Sequence, residues 1–244
     1  MLVIFDCDGV LVDSEILSAE VLLECFKSEG LARSFDDVLE TYRGKSVPDC
    51  VLVATQELAT LPSWQGLSDV EITARGTEFW HQMQAKTLDA CATRLRAIPN
   101  VKHVLDGLVE RGIDICVASN GKHEKMQVTL PLTGLLDYFG TRIFSYEDVR
   151  VGKPAPDLFL HAAKTLGATP TQTLVIEDSL TGIRAALAAN MKPFAYCPAD
   201  HNGQANPLLP EVISLGVEYF TDMAQLLSLI DREAVRIGHE YQPA

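Results

Sequence analysis

The sequence has no run of the roughly 18 apolar residues that a membrane-spanning helix needs. It also has no closely spaced cysteine pair, and too few basic side chains to offset its acids. The first absence argues against an integral membrane protein. The chain passes from Met1 straight into an apolar stretch, with neither the basic region nor the small-residue cleavage site of a secretory leader, so a cytoplasmic location is expected. Its six cysteines, Cys7, Cys25, Cys50, Cys91, Cys116 and Cys197, are scattered without the spacing of a zinc site or a dithiol redox motif. They are expected to stay reduced. With 20 Lys and Arg against 33 Asp and Glu, the formal net charge is −13. That balance argues against nucleic acid or an anionic membrane surface as the main partner. A small anionic substrate would need a local cationic pocket.

What is present fits a soluble globular chain. Its 244 residues, 47% hydrophobic and 22% charged, suffice to bury a substantial core in one large domain or two. From about 14 to 86 the pattern is helical throughout, with no convincing strand. Leu17, Val21, Leu22 and Phe26 line one side of a first helix, and Gly30 offers its stop. A short second helix is expected over 36–42, and Pro48 opens a third that closes before Pro62. Ser68 and Glu71 have capping-box spacing and begin a fourth.

Beyond this stretch, short apolar runs at 113–118, 142–145, 174–176 and 194–196 read as strands. They alternate with helices expected over 101–111, 122–130, 157–166 and 181–189. Strands alternating with helices imply an α/β fold, a Rossmann-like parallel sheet with helices on both faces. The expected organisation is therefore an α/β core of 1–13 and 88–244, interrupted by an all-helical insert over 14–87.

The chemistry gathers at the expected strand ends. Leu2-Val3-Ile4-Phe5 runs into Asp6-Cys7-Asp8-Gly9, and ligands bind at the carboxyl ends of parallel strands. Alternation sends Asp6 and Asp8 to one side and Cys7 toward the core. Two neighbouring carboxylates stay ionised cheaply only if a cation sits between them or one holds a proton. Gly9 permits a sharp turn. A second run leads into Ser119-Asn120-Gly121, a hydroxyl and backbone N–H groups at a helix start, where anions are favoured. Lys153 stands in the proline-stiffened segment Gly152-Lys153-Pro154, and the run 174–176 ends in the acidic pair Glu177-Asp178.

The order Asp6-x-Asp8, Ser119, Lys153, Glu177-Asp178 resembles the four motifs of the haloacid dehalogenase-like hydrolase superfamily, over nearly the whole chain. The resemblance implies that Asp6 is a nucleophile forming an aspartyl-phosphate. Asp8 would be the acid for the leaving alcohol and then the base for water. Mg²⁺ would be held by Asp6, the backbone carbonyl of Asp8 and Asp178, with Glu177 assisting through water. Ser119 and Lys153 would bind phosphoryl oxygens. An acid at position 8 favours phosphate-ester chemistry, and a helical insert after the first motif resembles the branch with a small helical cap that acts on sugar phosphates. The expected activity is Mg²⁺-dependent hydrolysis of a small phosphorylated sugar or sugar acid, with 6-phosphogluconate as one candidate.

The substrate-binding set is expected to be Ser119, Asn120, Lys122 and Lys153 in the core, with Gly44 and Lys45, beside Arg43, on the cap loop. His123 and His201 are read as surface residues. The alternatives are a β-phosphoglucomutase-like phosphomutase, or a non-catalytic protein that binds a phosphorylated metabolite. The mutases keep an arginine three residues after the cap-loop glycine, where this chain has Val47.

Overall fold

The structure, a computed structural model, describes residues 1–42, 45, 47–199 and 203–239. It divides into two compact units, Met1–Asp13 with Arg96–Ala244, and Ser14–Leu95. The first crossing lies where the sequence puts it. The second falls at 95/96 rather than 87/88, because the last helix of the inserted unit meets no Gly or Pro after Gly76 and runs on to Arg94.

The chain opens with β1 (Leu2–Phe5), buried along its whole length. An uninterrupted apolar run is what a strand covered on both faces requires. The inserted unit comes next as α1 (Ser14–Glu29), α2 (Phe35–Tyr42), α3 (Val47–Leu58) and α4 (Asp69–Arg94), and no strand occurs among its described residues. The capping box at Ser68 forms: its hydroxyl accepts from the Glu71 N–H, and the Glu71 carboxylate accepts from the Ser68 N–H at 2.8 Å. Phe26 of α1 stacks on Phe79 of α4 with centroids 5.5 Å apart. Near the far end of α4, Arg94 binds Glu20 at 2.6 Å and Glu24 at 3.0 Å on α1.

The first unit resumes with α5 (Val101–Glu110), β2 (Asp114–Ser119), α6 (His123–Leu132), α7 (Leu136–Phe139) and β3 (Ile143–Ser145). Next come α8 (Asp157–Thr165), β4 (Thr173–Glu177), α9 (Leu180–Ala188) and β5 (Lys192–Tyr196). The chain closes with α10 (Leu209–Ser214), β6 (Glu218–Phe220) and α11 (Leu226–Arg236). All six strands pair in parallel in the order β3-β2-β1-β4-β5-β6. On one face, Leu2 and Ile4 join Leu158, Phe159, Ala162, Ala185 and Ala186 from α8 and α9. On the other, Phe5 meets Phe139 of α7 edge-on at 6.3 Å. This is the expected doubly covered parallel sheet. Four of its elements, α7, α10, β6 and α11, were not expected from the sequence.

Strand register sets the height of the first acid. Phe5 lies level with Val117 of β2 and Ile176 of β4, so the next residue, Asp6, stands level with Ala118 and Glu177. The Asp6 N–H donates to the Ile176 carbonyl at 3.0 Å, carrying the ladder one residue past the strand. The chain then reverses: the N–H groups of Leu11 and Val12 both donate to the Cys7 carbonyl, at 2.9 and 3.1 Å. The two halves of the sheet diverge from β1, the kind of place where open parallel sheets bind ligands.

Candidate active site

Three loops bring one ammonium and three carboxylates together at the end of β1. Lys153, in the segment leading to α8, is buried and donates to Asp6 Oδ1 at 2.5 Å and Glu177 Oε1 at 2.6 Å. Its Nζ also lies 4.8 Å from the Phe159 ring centroid. Glu177 is fully buried, and its second oxygen accepts from the Ser179 N–H at 3.2 Å and hydroxyl at 2.8 Å. Ser179 in turn caps α9, accepting from the Gly182 N–H at 3.1 Å. Gly182 is required here, because a Cβ on it would lie 1.8 Å from Glu177 Oε1.

The Asp6 carboxyl is lifted to about 7: burial raises it, Lys153 pulls it down, and Glu177 and Asp8 push it up. Burial alone would lower the Lys153 pKa, but Asp6 and Glu177 raise it above the ordinary lysine value, so it stays a cation. Cys7 is buried, and burial followed by the nearby Asp8 and Asp6 charges pushes its thiol well up. It is a core residue, as alternation predicts.

Asp8 is held from another direction. Lys125, on the first turn of α6, donates to both of its oxygens, at 2.7 and 2.8 Å. No role for Lys125 was expected from the sequence. Two nearby lysines at a helix start, Lys122 and Lys125, give no sign of which one reaches inward. Lys122 is the exposed N-cap residue of α6, whereas Lys125 is partly covered.

Ser119, at the end of β2, is buried and its Oγ accepts from the Gly121 N–H at 3.0 Å. A Cβ built on Gly121 would sit 3.3 Å from Ser119 Oγ and 3.8 Å from Asp8 Oδ2, which places serine and aspartate around one small space. Ser145, level with Ser119 on β3, donates to the Gly121 carbonyl at 2.7 Å and steadies this turn.

Asn120, expected to contact substrate, instead has its side-chain amide clasped to the backbone of Lys153. It donates to the Lys153 carbonyl at 3.0 Å and accepts from the Lys153 N–H at 2.9 Å. A residue engaged at both ends aims the lysine loop. Gly152 allows this approach, since a Cβ there would be 2.7 Å from Asn120 Oδ1. His123 pairs with Asp148, its Nε2 2.9 Å from the carboxylate, and its N–H donates to Glu147 at 2.9 Å. Lys45 is exposed, in the helical unit. Arg43, Gly44 and His201 lie outside the described residues.

Oxygens of Asp6, Glu177 and Asp178 lie within 4.8 Å of one another. Against these three acids Lys153 supplies one positive charge. If all three ionise, the surplus is two negative charges, which one divalent cation matches, and all-oxygen carboxylate donors suit a hard ion such as Mg²⁺. A Cβ on Gly9, whose φ is +77°, would fall 1.9 Å from Asp178 Oδ2, so the turn after Asp8 presses directly on this carboxylate. The donor set fits the ion.

A buried lysine–carboxylate centre with further acids at the carboxyl edge of a doubly covered parallel sheet defines an α/β enzyme site. Residues 1–190 match the haloacid dehalogenase-like hydrolase family, and the chain belongs to it. It is 27% identical over 227 residues to the 6-phosphogluconate phosphatase of Escherichia coli K12, covering 93% of each chain. Among solved structures, a haloacid dehalogenase-like protein of unknown function from Agrobacterium tumefaciens is 30% identical. It superposes with a TM-score of 0.73, over 96% of this chain and 98% of that one. A family hydrolase from Deinococcus radiodurans, solved with phosphate and sodium bound, is 26% identical with a TM-score of 0.78, over 100% and 98% of the two chains. Among the described residues no helix is long and apolar enough to cross a membrane.

Proposed function

We propose that this chain is a Mg²⁺-dependent phosphatase that hydrolyses a small phosphorylated sugar or sugar acid, 6-phosphogluconate among them, through an aspartyl-phosphate on Asp6. The observation that carries the reading is the buried Lys153 ammonium bridging Asp6 and Glu177 at 2.5 and 2.6 Å, with Asp178 beside them. The likeness to 6-phosphogluconate phosphatase over 93% of both chains supports the substrate class.

Charge on a transferring phosphoryl group must be met by fixed cations and donors. Lys153 and Ser119 would meet it, a reading supported by their burial beside Asp6 and Gly121. Asp6, Asp178 and the carbonyl oxygen of Asp8, with Glu177 assisting through water, would hold the ion, which supplies positive charge against the phosphoryl oxygens. An Asp6 oxygen attacks phosphorus, and the bond to the alcohol oxygen breaks as Asp8 passes its proton to that oxygen. Water then attacks the aspartyl-phosphate, giving a proton to Asp8 and releasing inorganic phosphate and the Asp6 carboxylate. To the first unit this reading gives the catalytic work, to the helical unit the selection of substrate. A reducing cytoplasm suits the six buried thiols.

Hydrolysis is favoured over a mutase because Val47 stands where a mutase carries the arginine for a second phosphate. The test is release of inorganic phosphate from an aryl phosphate and from a panel of sugar phosphates, with Mg²⁺ and with chelator. Turnover that needs the ion and falls at least ~10⁴-fold in Asp6→Asn is expected. No turnover in wild type, or undiminished turnover in Asp6→Asn, would defeat the reading.

A further inference from the structure

We infer that Lys125 is a positioning residue that holds the Asp8 carboxylate in place for both proton transfers; the inference rests on the proposed acid–base role of Asp8. Its Nζ reaches the two Asp8 oxygens at 2.7 and 2.8 Å. Contacts that even fix the plane of the carboxylate as well as its position. A single hydrogen bond would leave rotation about the last torsion, which is broad for aspartate.

The tether has a rigid anchor. Lys125 lies on the first turn of α6, and that turn is tied to the segment after β3 through the His123 N–H on Glu147 and the His123 ring on Asp148, each at 2.9 Å. The other lysine of the centre is already committed, since Lys153 bonds Asp6 and Glu177. The Asp8 side chain is 29% exposed, and two bonds to one ammonium narrow the rotamers open to it. A carboxylate has acceptor positions for several partners, so two bonds to one ammonium do not use up the group.

The competing view is an ordinary ion pair that adds little stability and nothing to the chemistry. The two views differ in how the rate depends on the leaving group. An alkoxide needs a proton as it departs, whereas nitrophenolate leaves without one. Loss of Asp8 positioning therefore slows formation of the aspartyl-phosphate from an alkyl phosphate, but barely slows it from p-nitrophenyl phosphate. Water activation, which also needs Asp8, slows for both.

The experiment compares wild type, Lys125→Met, Lys125→Arg and Asp6→Asn with Mg²⁺, using p-nitrophenyl phosphate and the alkyl phosphate that wild type turns over best. In Lys125→Met, kcat/KM is expected to fall ~100-fold for the alkyl ester and less than ~threefold for the aryl ester. Rapid mixing should give a burst approaching one nitrophenolate per chain, followed by a slowed steady state. Arginine, which also donates two bonds, should recover at least ~tenfold of the alkyl loss. Equal losses on both esters, or no loss, in a Lys125→Met protein that melts cooperatively would overturn the inference while leaving the phosphatase reading intact. Should Lys125→Met fail to fold, the same alkyl-to-aryl ratio is read in Lys125→Gln: a ratio lowered at least ~tenfold supports positioning, and an unchanged ratio or a general loss on both esters overturns it. Wild type inactive on both esters, or an active Asp6→Asn, would overturn both.

Discussion

Asp6 must attack as an anion, yet it is buried deeply enough to lift its pKa from 3.8 to about 7, in spite of Lys153. A carboxyl whose pKa is higher folded than unfolded takes up a proton on folding. Its stabilising contribution is full below the unfolded value near 3.8 and is lost as pH rises through about 7. Asn stands in for the protonated form and has no such loss. With chelator present, the stability of Asp6→Asn relative to wild type is therefore expected to rise between about pH 5 and about pH 8, measured by urea denaturation. A divalent ion should flatten that difference for wild type by stabilising the carboxylate. At this scale the sequence pointed to Asp6, Ser119, Glu177 and Asp178 because polar groups gather where apolar strands end, and to Lys153 because glycine and proline flank it. It was silent on Lys125 and on the Asn120 clasp, because both depend on where two distant loops meet.

Helices and strands were legible wherever a local signal sets their ends. The Ser68–Glu71 box starts α4 as its spacing predicts. Ser68→Ala is expected to cost about 1 kcal/mol, by loss of the bond to the Glu71 N–H. Thermal denaturation reports it, and turnover of the folded enzyme should be unaffected. The far end of α4 carries no such signal, and its last turns are held by Arg94 on Glu20 and Glu24, contacts between residues some seventy positions apart. That is why the exit from the insert was placed too early. The last strand and helix escaped for related reasons. In β6 only three residues pair, and only Phe220 is buried. In α11 the apolar positions Leu226, Ile230 and Ala234 share their face with Glu233, a buried acid that breaks the pattern. Glu233 is tolerated because Lys192 binds it at 2.7 Å and Arg236 pairs with it, so despite its burial its pKa is held below the ordinary carboxylate value.

At the scale of the whole chain, the insertion of one helical unit into an α/β unit follows from the change of period near both crossings. It was legible because periodicity is summed over many residues. Thiol placement is a property of both units together. All six cysteines are buried thiols, in α1, α3 and α4 as well as in the sheet unit. Iodoacetamide should label none of them in the native enzyme and all six after unfolding, as counted by mass spectrometry. Activity should be indifferent to added reductant, since burial raises the Cys7 thiol nearest the centre well out of the reactive range.

The turn after Asp8 leaves one position no latitude at all. With φ at +77° and the Asp178 carboxylate filling the volume where any Cβ would go, residue 9 admits a single member of the genetic alphabet. Whoever diversifies this scaffold toward other phosphate esters must leave residue 9 untouched, however freely exposed positions elsewhere are varied.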